Sequence, residues 1–336
     1  MICEMPDDVM FPLDFAGTIL VTGASGFVGR HALPALRVSF PKAQLVAAHG
    51  RTDSLYPLTD HTLALNLFEA ASIEAAILDS KPDVVLHLAS QSAVSLAFSD
   101  PIATWRANLM GTIHLADAVL RHAPQAIFVY ASSSEIYGLS FKKNGALKED
   151  APIAPANPYA ASKAAADMAL GEMALRGLRA IRMRPFNHVG PGQTEVFVIA
   201  AFARQIARIE MGLQPPVVRT GALDRWRDFL DVRDVVKGYI AAISVAHYLE
   251  PGIAINIASG VPRRIGDILE ELLARSGISA HVEMDAGRLR PVDVERVEGD
   301  AARALSLLGW SPQIRWEDTL DDILEYWRTH ERGLLR

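Results

Sequence analysis

Residues 18–30 read Thr18-Ile-Leu-Val-Thr-Gly23-Ala-Ser-Gly26-Phe-Val-Gly29-Arg30. Ile19 to Val21 is a short apolar run of the kind that a strand buried on both faces requires. Phe27, Val28, Leu33 and Leu36 then share one helix face. The stretch is therefore strand, tight turn, helix. Gly23 suits the turn, Gly26 lets backbone N–H groups approach an anion, and Gly29 lets the helix lie close to the strand. The helix N-terminus adds unfilled N–H groups and partial positive charge. A dinucleotide pyrophosphate needs this arrangement, yet G-x-x-G-x-x-G also describes a turn without ligand, so the rest of the chain decides.

Outward from the turn, strand and helix patterns alternate. Strands are expected at Gln44–Ala48, Thr62–Leu65, Val84–Leu88, Ala126–Tyr130 and Ala180–Arg184. Helices are expected at Phe27–Ser39, Glu69–Ser80, Ile102–His122 and Tyr159–Leu175. Such alternation predicts an α/β fold, a doubly wound parallel sheet of Rossmann-like type. After Pro185 the chain turns glycine- and proline-rich, with helices at Phe197–Met211, Asp231–Val245, Arg264–Ser276 and Thr319–His330, and a strand at Ile253–Ile257. The reading is a dinucleotide-binding domain of residues 16–186 plus 230–258. A smaller, discontinuous α/β substrate lobe takes 187–229 plus 259–336, and residues 1–15 form an N-terminal extension. The cleft is expected where the lobe meets the carboxyl ends of the strands.

Composition sets limits. The chain has 336 residues, 50% of them hydrophobic, enough for a full core and more than one lobe. A formal net charge of −6 gives no support for nucleic acid or an anionic membrane as partner. The single cysteine, Cys3, excludes an internal disulfide and fits a reducing compartment. No run of 18 apolar residues is present, and the acidic N-terminus does not read as a signal peptide. A cytoplasmic protein is the default. No metal constellation stands out; Asp231 and Asp234 read as a helix start.

Two groups of residues carry chemistry. Tyr159 and Lys163, in Asn157-Pro-Tyr-Ala-Ala-Ser-Lys163, are four apart and share a helix face. A nearby ammonium favours the phenolate, which predicts a lowered tyrosine pKa and an acid or base usable near neutrality. Ser132, Ser133 and Ser134 follow the strand ending at Tyr130, where hydroxyls can donate to a carbonyl oxygen that gains charge. Glu135 beside them is either exposed at a cleft or costly.

Together, Gly23-x-x-Gly26-Phe27-x-Gly29, Ser132-Ser133, Tyr137-Gly138 and Tyr159-x-x-x-Lys163 resemble the extended short-chain dehydrogenase/reductases of the nucleotide-sugar branch, from about Ala16 to Trp327. Pro82-Asp-Val-Val-Leu-His-Leu-Ala-Ser-Gln91 and Asn108-Leu-Met-Gly-Thr112 add to the likeness. Arg184-Pro-Phe-Asn-His-Val-Gly-Pro-Gly-Gln193, Phe197-Val198, Phe202-Ala-Arg-Gln-Ile206, Arg227-Asp-Phe-Leu-Asp-Val-Arg-Asp234, Arg288-Leu-Arg-Pro-Val-Asp293 and Gly309-Trp-Ser-Pro312 are similar to GDP-6-deoxy-mannose reductases. The GDP-mannose 4,6-dehydratases are near relatives of these.

The resemblance implies a catalytic set of Ser133, Tyr159 and Lys163. Tyr159 moves the proton, Lys163 binds the nicotinamide ribose, and Ser133 orients the substrate carbonyl. Glu135 stands where a dehydratase carries its base. The cofactor set it implies is Gly23, Ser25, Gly26, Phe27, Val28, Gly29, Arg51, Asn66, Leu67, Leu88, Ala89, Tyr159 and Lys163. The substrate set is Ser133, Ser134, Glu135, Asn187, Phe197, Val198, Arg204, Arg227, Arg290 and Asp293, with Arg227 and Arg290 on the diphosphate. Asn66 replaces the acid that often contacts adenine, and Ala222 replaces an asparagine of the family.

Arg51, with no acid before it, favours NADP(H), with NAD(H) possible. The implied reaction is NAD(P)H-dependent reduction of the C4 ketone of a GDP-4-keto-6-deoxy-hexose. A dehydratase or epimerase on the same scaffold is the alternative, and a catalytically silent NADP-binding redox sensor is one of another class. A homodimer through a four-helix interface, built from Ile102–His122 and Tyr159–Leu175, is also implied.

Overall fold

The computed structural model describes residues 15–50, 58–143, 145–288 and 293–334. Arg51, Arg290 and the extension up to residue 14 lie outside them. The strands are β1 (Thr18–Thr22), β2 (Gln44–His49), β3 (His61–Ala64), β4 (Val84–His87), β5 (Ile127–Ala131), β6 (Arg179–Pro185), β7 (Asn187–Val189), β8 (Val217–Thr220), β9 (Trp226–Asp231), β10 (Ile253–Ile257), β11 (Pro262–Arg264) and β12 (His281–Met284). The helices are α1 (Phe27–Ser39), α2 (Ala70–Ser80), α3 (Val94–Ser99), α4 (Pro101–Trp105), α5 (Gly111–His122), α6 (Pro158–Leu175), α7 (Val198–Glu210), α8 (Val232–Ser244), α9 (Ile265–Ser276), α10 (Ala302–Leu308) and α11 (Trp316–Leu334).

Seven strands form one sheet in the order β10-β6-β5-β4-β1-β2-β3, every pair parallel. The order reverses between β1 and β4, and the glycine turn opens at that switch point. The apolar runs are continuous because both faces are covered. Ile19, Val21, Val84 and Leu86 pack with α1 and α8 on one side, and Leu20, Val46 and Val85 with α2 and α5 on the other.

A third core unites α7, α9 and α11 against β9. Beside it, β11-β9-β7 form a small sheet with two distinct faces. Val189 and Phe229 point into the third core, while Leu230 joins the core of the large sheet and His188 stacks on Phe27.

The expected Ile102–His122 helix is interrupted. Between α4 and α5 the chain takes a widened π turn, Arg106–Met110. Asn108 in that turn is fully buried, donates to Gln91 O at 2.9 Å and Ser162 Oγ at 3.0 Å, and accepts from Gln91 N–H at 2.8 Å. A side chain that cross-links three segments is a sufficient reason for the insertion. The serine-rich segment is also more ordered than a loop: Ser134–Lys142 winds as 3-10 turns. Among the described residues no helix is long and apolar enough to cross a membrane.

Candidate active site

Gly23 has φ of 70°, and a Cβ there would lie 2.7 Å from Ala89 N, at the end of β4. A Cβ on Gly29 would meet the carbonyl oxygens of Gly23 and Ala24 at 2.5 Å. Gly26 precedes α1, and no side chain caps its first turn, so its N–H groups are available to an anion. This cradle, which side chains would fill, fits a dinucleotide pyrophosphate.

The other expected cofactor residues surround the cradle. Leu88 and Ala89 donate their N–H groups to Thr22 O at 3.2 Å and Thr22 Oγ1 at 3.3 Å. Ser25 O accepts from Arg30 Nε at 3.0 Å, and Val28 packs on the core. Phe27 lies parallel to the His188 ring at 6.2 Å. Leu67 presses on Gly111. Asn66 is occupied by its own turn: its amide donates to Glu69 Oε1 at 2.8 Å and accepts from Phe68 N–H at 3.0 Å. An adenine contact there competes with Glu69.

The three serines divide their work. Ser132 Oγ donates to Asp167 Oδ2 at 2.7 Å. Ser133 accepts from Glu135 N–H at 3.1 Å and stands near enough to Tyr159 to act on its pKa. Ser134 faces the cleft. Asn157 caps α6, accepting from Ala160 N–H at 2.8 Å while donating to Glu135 Oε2 at 3.0 Å, so helix start and acid are fixed together.

Tyr159 differs from expectation. Burial pushes its hydroxyl up to about 12; the nearby Ser133 hydroxyl opposes this, and the Glu135 charge reinforces it. Lys163 does not lower it. The Lys163 ammonium donates to Ala131 O and sits 4.3 Å over the Tyr130 ring. Burial pulls Lys163 down to about 7, with Asp167 acting in the opposite sense. Without cofactor, desolvation outweighs the helical neighbour.

Below the site, His87 joins Thr22 Oγ1 at 2.7 Å and Thr112 Oγ1 at 2.9 Å. Burial, then the Lys163 charge, pulls its pKa down to about 3, so it is neutral and serves as a cross-brace between β1 and α5.

Sequence reasoning missed Asp167. Fully buried, it takes hydrogen bonds from Ser132, from Arg182 at 2.9 Å and from Arg184 at 3.1 and 2.8 Å. Burial raises its pKa, but the two guanidiniums hold it below the usual carboxylate value. Arg184 also donates to Tyr137 Oη at 2.9 Å, and Tyr137 donates to Asn256 Oδ1 at 2.7 Å. Arg184 and Tyr137, prominent in the recognition strings, thus tie α6 to β6 and β10. The i,i+4 spacing of Asp167 from Lys163 was the one available signal.

A cleft open to solvent is lined by Ser134, Glu135, Asn157, Asn187, Arg227 and Asp293 among others. Arg227 donates to Asp293 Oδ1 at 2.5 Å, and Arg225 to Asp293 Oδ2 at 3.2 Å. Asp293 therefore holds Arg227 at the cleft, which Arg225 does not line. Phe197 and Val198 stand at the start of α7 and do not line it. Arg204, expected in the substrate set, does not line this cleft. It lines a separate pocket with Glu195, Arg208 and Arg288, and its ion pairs to Glu195 at 2.5 Å and to buried Glu331 at 2.7 Å join α7 to α11. Arg290 lies outside the described residues. His188 Nδ1 donates to Phe186 O at 3.0 Å, burial lowers its pKa, and its ring packs against the cofactor turn.

The sequence profile of the GDP-mannose 4,6 dehydratase family matches residues 20–323. The chain is 36% identical over 315 residues to GDP-6-deoxy-D-mannose reductase of Pseudomonas aeruginosa, covering 94% of this chain and 98% of that one. The structure of RMD from Pseudomonas aeruginosa complexed with NADPH superposes with a TM-score of 0.81 at 34% identity, covering 94% and 99% of the two chains. A UDP-glucose 4-epimerase from Thermus thermophilus in complex with NAD gives 0.80 at 25%, covering 93% and 99%. With its glycine cradle, its Ser133–Tyr159–Lys163 set and an acid-and-arginine cleft beside them, this chain belongs to the GDP-mannose 4,6 dehydratase family of extended short-chain dehydrogenase/reductases.

Proposed function

We propose that the chain is an NADP(H)-dependent oxidoreductase that reduces the C4 ketone of GDP-4-keto-6-deoxy-D-mannose, giving GDP-6-deoxy-D-mannose (GDP-D-rhamnose). The observation that carries the reading is Tyr159, with Ser133 beside it and Lys163 one turn further along α6, next to the cleft lined by Glu135 and Arg227. Likeness over nearly the full length of a GDP-6-deoxy-D-mannose reductase supports it. NADPH, when bound, supplies the hydride. Its pyrophosphate would be held by the Gly23–Gly29 turn, and its ribose by Lys163. NADP(H) is favoured by the NADPH complex of the similar reductase and by Arg51; NAD(H) is possible.

The chain's own residues manage the proton and the orientation. Ser133 hydrogen-bonds the ketone oxygen, whose charge grows as carbon 4 is reduced. Tyr159, protonated throughout the neutral range because burial raises its pKa, delivers its proton to that oxygen. Asn157 and Ser133 hold Glu135 at the rim. Arg227, steered by Asp293, neutralises the diphosphate.

Glu135 in the cleft is the one observation favouring a second reading, a 4,6-dehydratase. Incubation with NADPH and a panel of GDP- and dTDP-linked 4-keto sugars separates them. The reductase consumes one NADPH per GDP-linked product. Conversion without net NADPH loss would establish the dehydratase instead.

The division into 16–186 plus 230–258 and 187–229 plus 259–336 is part of the same proposal, as are a cytoplasmic setting and a homodimer. Exposed Ile102, Met168 and Leu175, on the helices expected to pair, support the dimer.

A further inference from the structure

The lining of the cleft divides by chemistry. Ser134, Glu135, Asn157 and Asn187 bring polar side chains to it, whereas Gly138, Phe141, Val294 and Val297 bring none. The apolar part is continuous with the interior. Phe141 and Val297 belong to the core of the large sheet, and Val294 packs against it. Phe141 meets Tyr137 and Phe186 edge-to-face, at 5.9 and 6.0 Å. The N–H groups along this wall are engaged. Leu139 N–H donates to Ala154 O at 2.8 Å, Val294 N–H to Asp293 Oδ1 at 2.9 Å and Val297 N–H to Trp226 O at 3.0 Å. Ser140, the one hydroxyl between Gly138 and Phe141, donates to Pro152 O at 2.7 Å. An alkyl group brought to this wall finds van der Waals partners, and a hydroxyl loses water without replacement.

A 4-keto-6-deoxy-hexose carries the same division. Its ketone at carbon 4 lies across the ring from carbon 1, which bears the diphosphate. With the ketone at Ser133 and Tyr159 and the diphosphate at Arg227, the ring spans the cleft. One ring edge then carries the hydroxyls of carbons 2 and 3. The other carries the ring oxygen and, on carbon 5, the methyl group of carbon 6. Polar side chains suit the first edge and the apolar wall suits the second; the reverse placement strands two hydroxyls.

We propose that Val294, together with Phe141 and Val297, seats the carbon 6 methyl group and makes the cleft selective for 6-deoxy over 6-hydroxy sugars. This rests on the nucleotide-sugar reading of the cleft. Val294 directly follows Asp293, so the residue that holds Arg227 for the diphosphate also sets the selective side chain. The segment is stitched to β9, where Trp226 N–H donates to Glu295 O at 2.8 Å and Trp226 O accepts from Val297 N–H. The wall is therefore in place before a ligand arrives.

The test is calorimetric titration of the full chain, saturated with NADP+, with GDP, GDP-D-mannose and GDP-6-deoxy-D-mannose. The two sugars differ by one hydroxyl, on carbon 6. Wild type is expected to bind the 6-deoxy ligand at least about tenfold more tightly. Val294→Thr, close in shape and able to hydrogen-bond that hydroxyl, should narrow the ratio at least about threefold. A ratio cancels any general loss of affinity, so a purely structural role for Val294 would leave it at the wild-type value. If Val294→Thr does not fold, Val294→Ala decides by the same criterion, because it removes the contacts to the methyl group. A smaller wild-type ratio, or one that the variant does not narrow, would overturn the proposal while GDP binding upholds the nucleotide-sugar reading. A wild-type chain that binds NADP+ but not GDP would overturn that reading, and this inference with it.

Discussion

Replacing Lys163 with Met should inactivate the protein and stabilise it. The lysine is fully buried, and burial brings its pKa from 10.5 in the unfolded chain to about 7 in the fold. Between those values the folded state binds fewer protons than the unfolded one, so stability rises with pH across that window. The cost of carrying the group is about 4 kcal/mol near pH 7 and about 2 kcal/mol near pH 9, at ~1.4 kcal/mol per pKa unit. Methionine, of similar length and uncharged, escapes this cost but forfeits the bond to Ala131 O. That loss subtracts about 1 kcal/mol at either pH. The stability advantage of Lys163→Met over wild type should therefore shrink by about 2 kcal/mol between pH 7 and pH 9. Urea unfolding of cofactor-free protein at both pH values measures it, since ligand would add its own linkage. Other titrating groups cancel in the difference. An advantage that does not change with pH, or a variant less stable at both, would refute the argument that burial holds Lys163 near neutrality.

Further expectations follow from the same geometry. Tyr159→Phe should lower kcat by about 10²- to 10⁴-fold with NADPH and GDP affinities retained, measured by turnover and titration side by side. Gly29→Ala places a methyl against two carbonyl oxygens; about 1–3 kcal/mol of stability and at least about tenfold in NADPH affinity should be lost. Glu135→Gln can still accept from Asn157, so reduction should survive within about tenfold while any dehydration disappears, which product analysis would detect. Arg204→Ala leaves buried Glu331 to Arg208 alone and should cost about 1–3 kcal/mol by thermal unfolding with KM for the sugar nucleotide unaltered.

The parallel sheet was legible because its strands are buried on both faces and its first turn needs glycine for two separate reasons, a positive φ and a close neighbour. The helix Phe27–Ser39 was readable to the residue for the same cause: one apolar stripe and no competing pattern. What escaped depends on distance along the chain. Arg204 reads as a ligand-binding cation until Glu331, 127 residues later, is found beside it. Nothing local distinguishes Ser132, which serves Asp167, from Ser133, which serves Tyr159. The π turn at Arg106–Met110 leaves the apolar spacing nearly unchanged, so periodicity cannot detect it. The sign of the Tyr159 shift was missed because spacing reports which groups are near but not how much water they lose.

The small sheet has one more consequence. Along β7 the chain alternates, so that Asn187 faces the cleft, His188 the cofactor turn and Val189 the third core. Strand period is two, and a slip of one residue exchanges the faces. Phe186 to Val189 is therefore constrained in length before it is constrained in identity. A single-residue deletion ahead of β7 would present the His188 imidazole to the cleft and the Val189 side chain to Phe27, misdirecting both sites at once. A conservative replacement at any one of these positions would disturb only one.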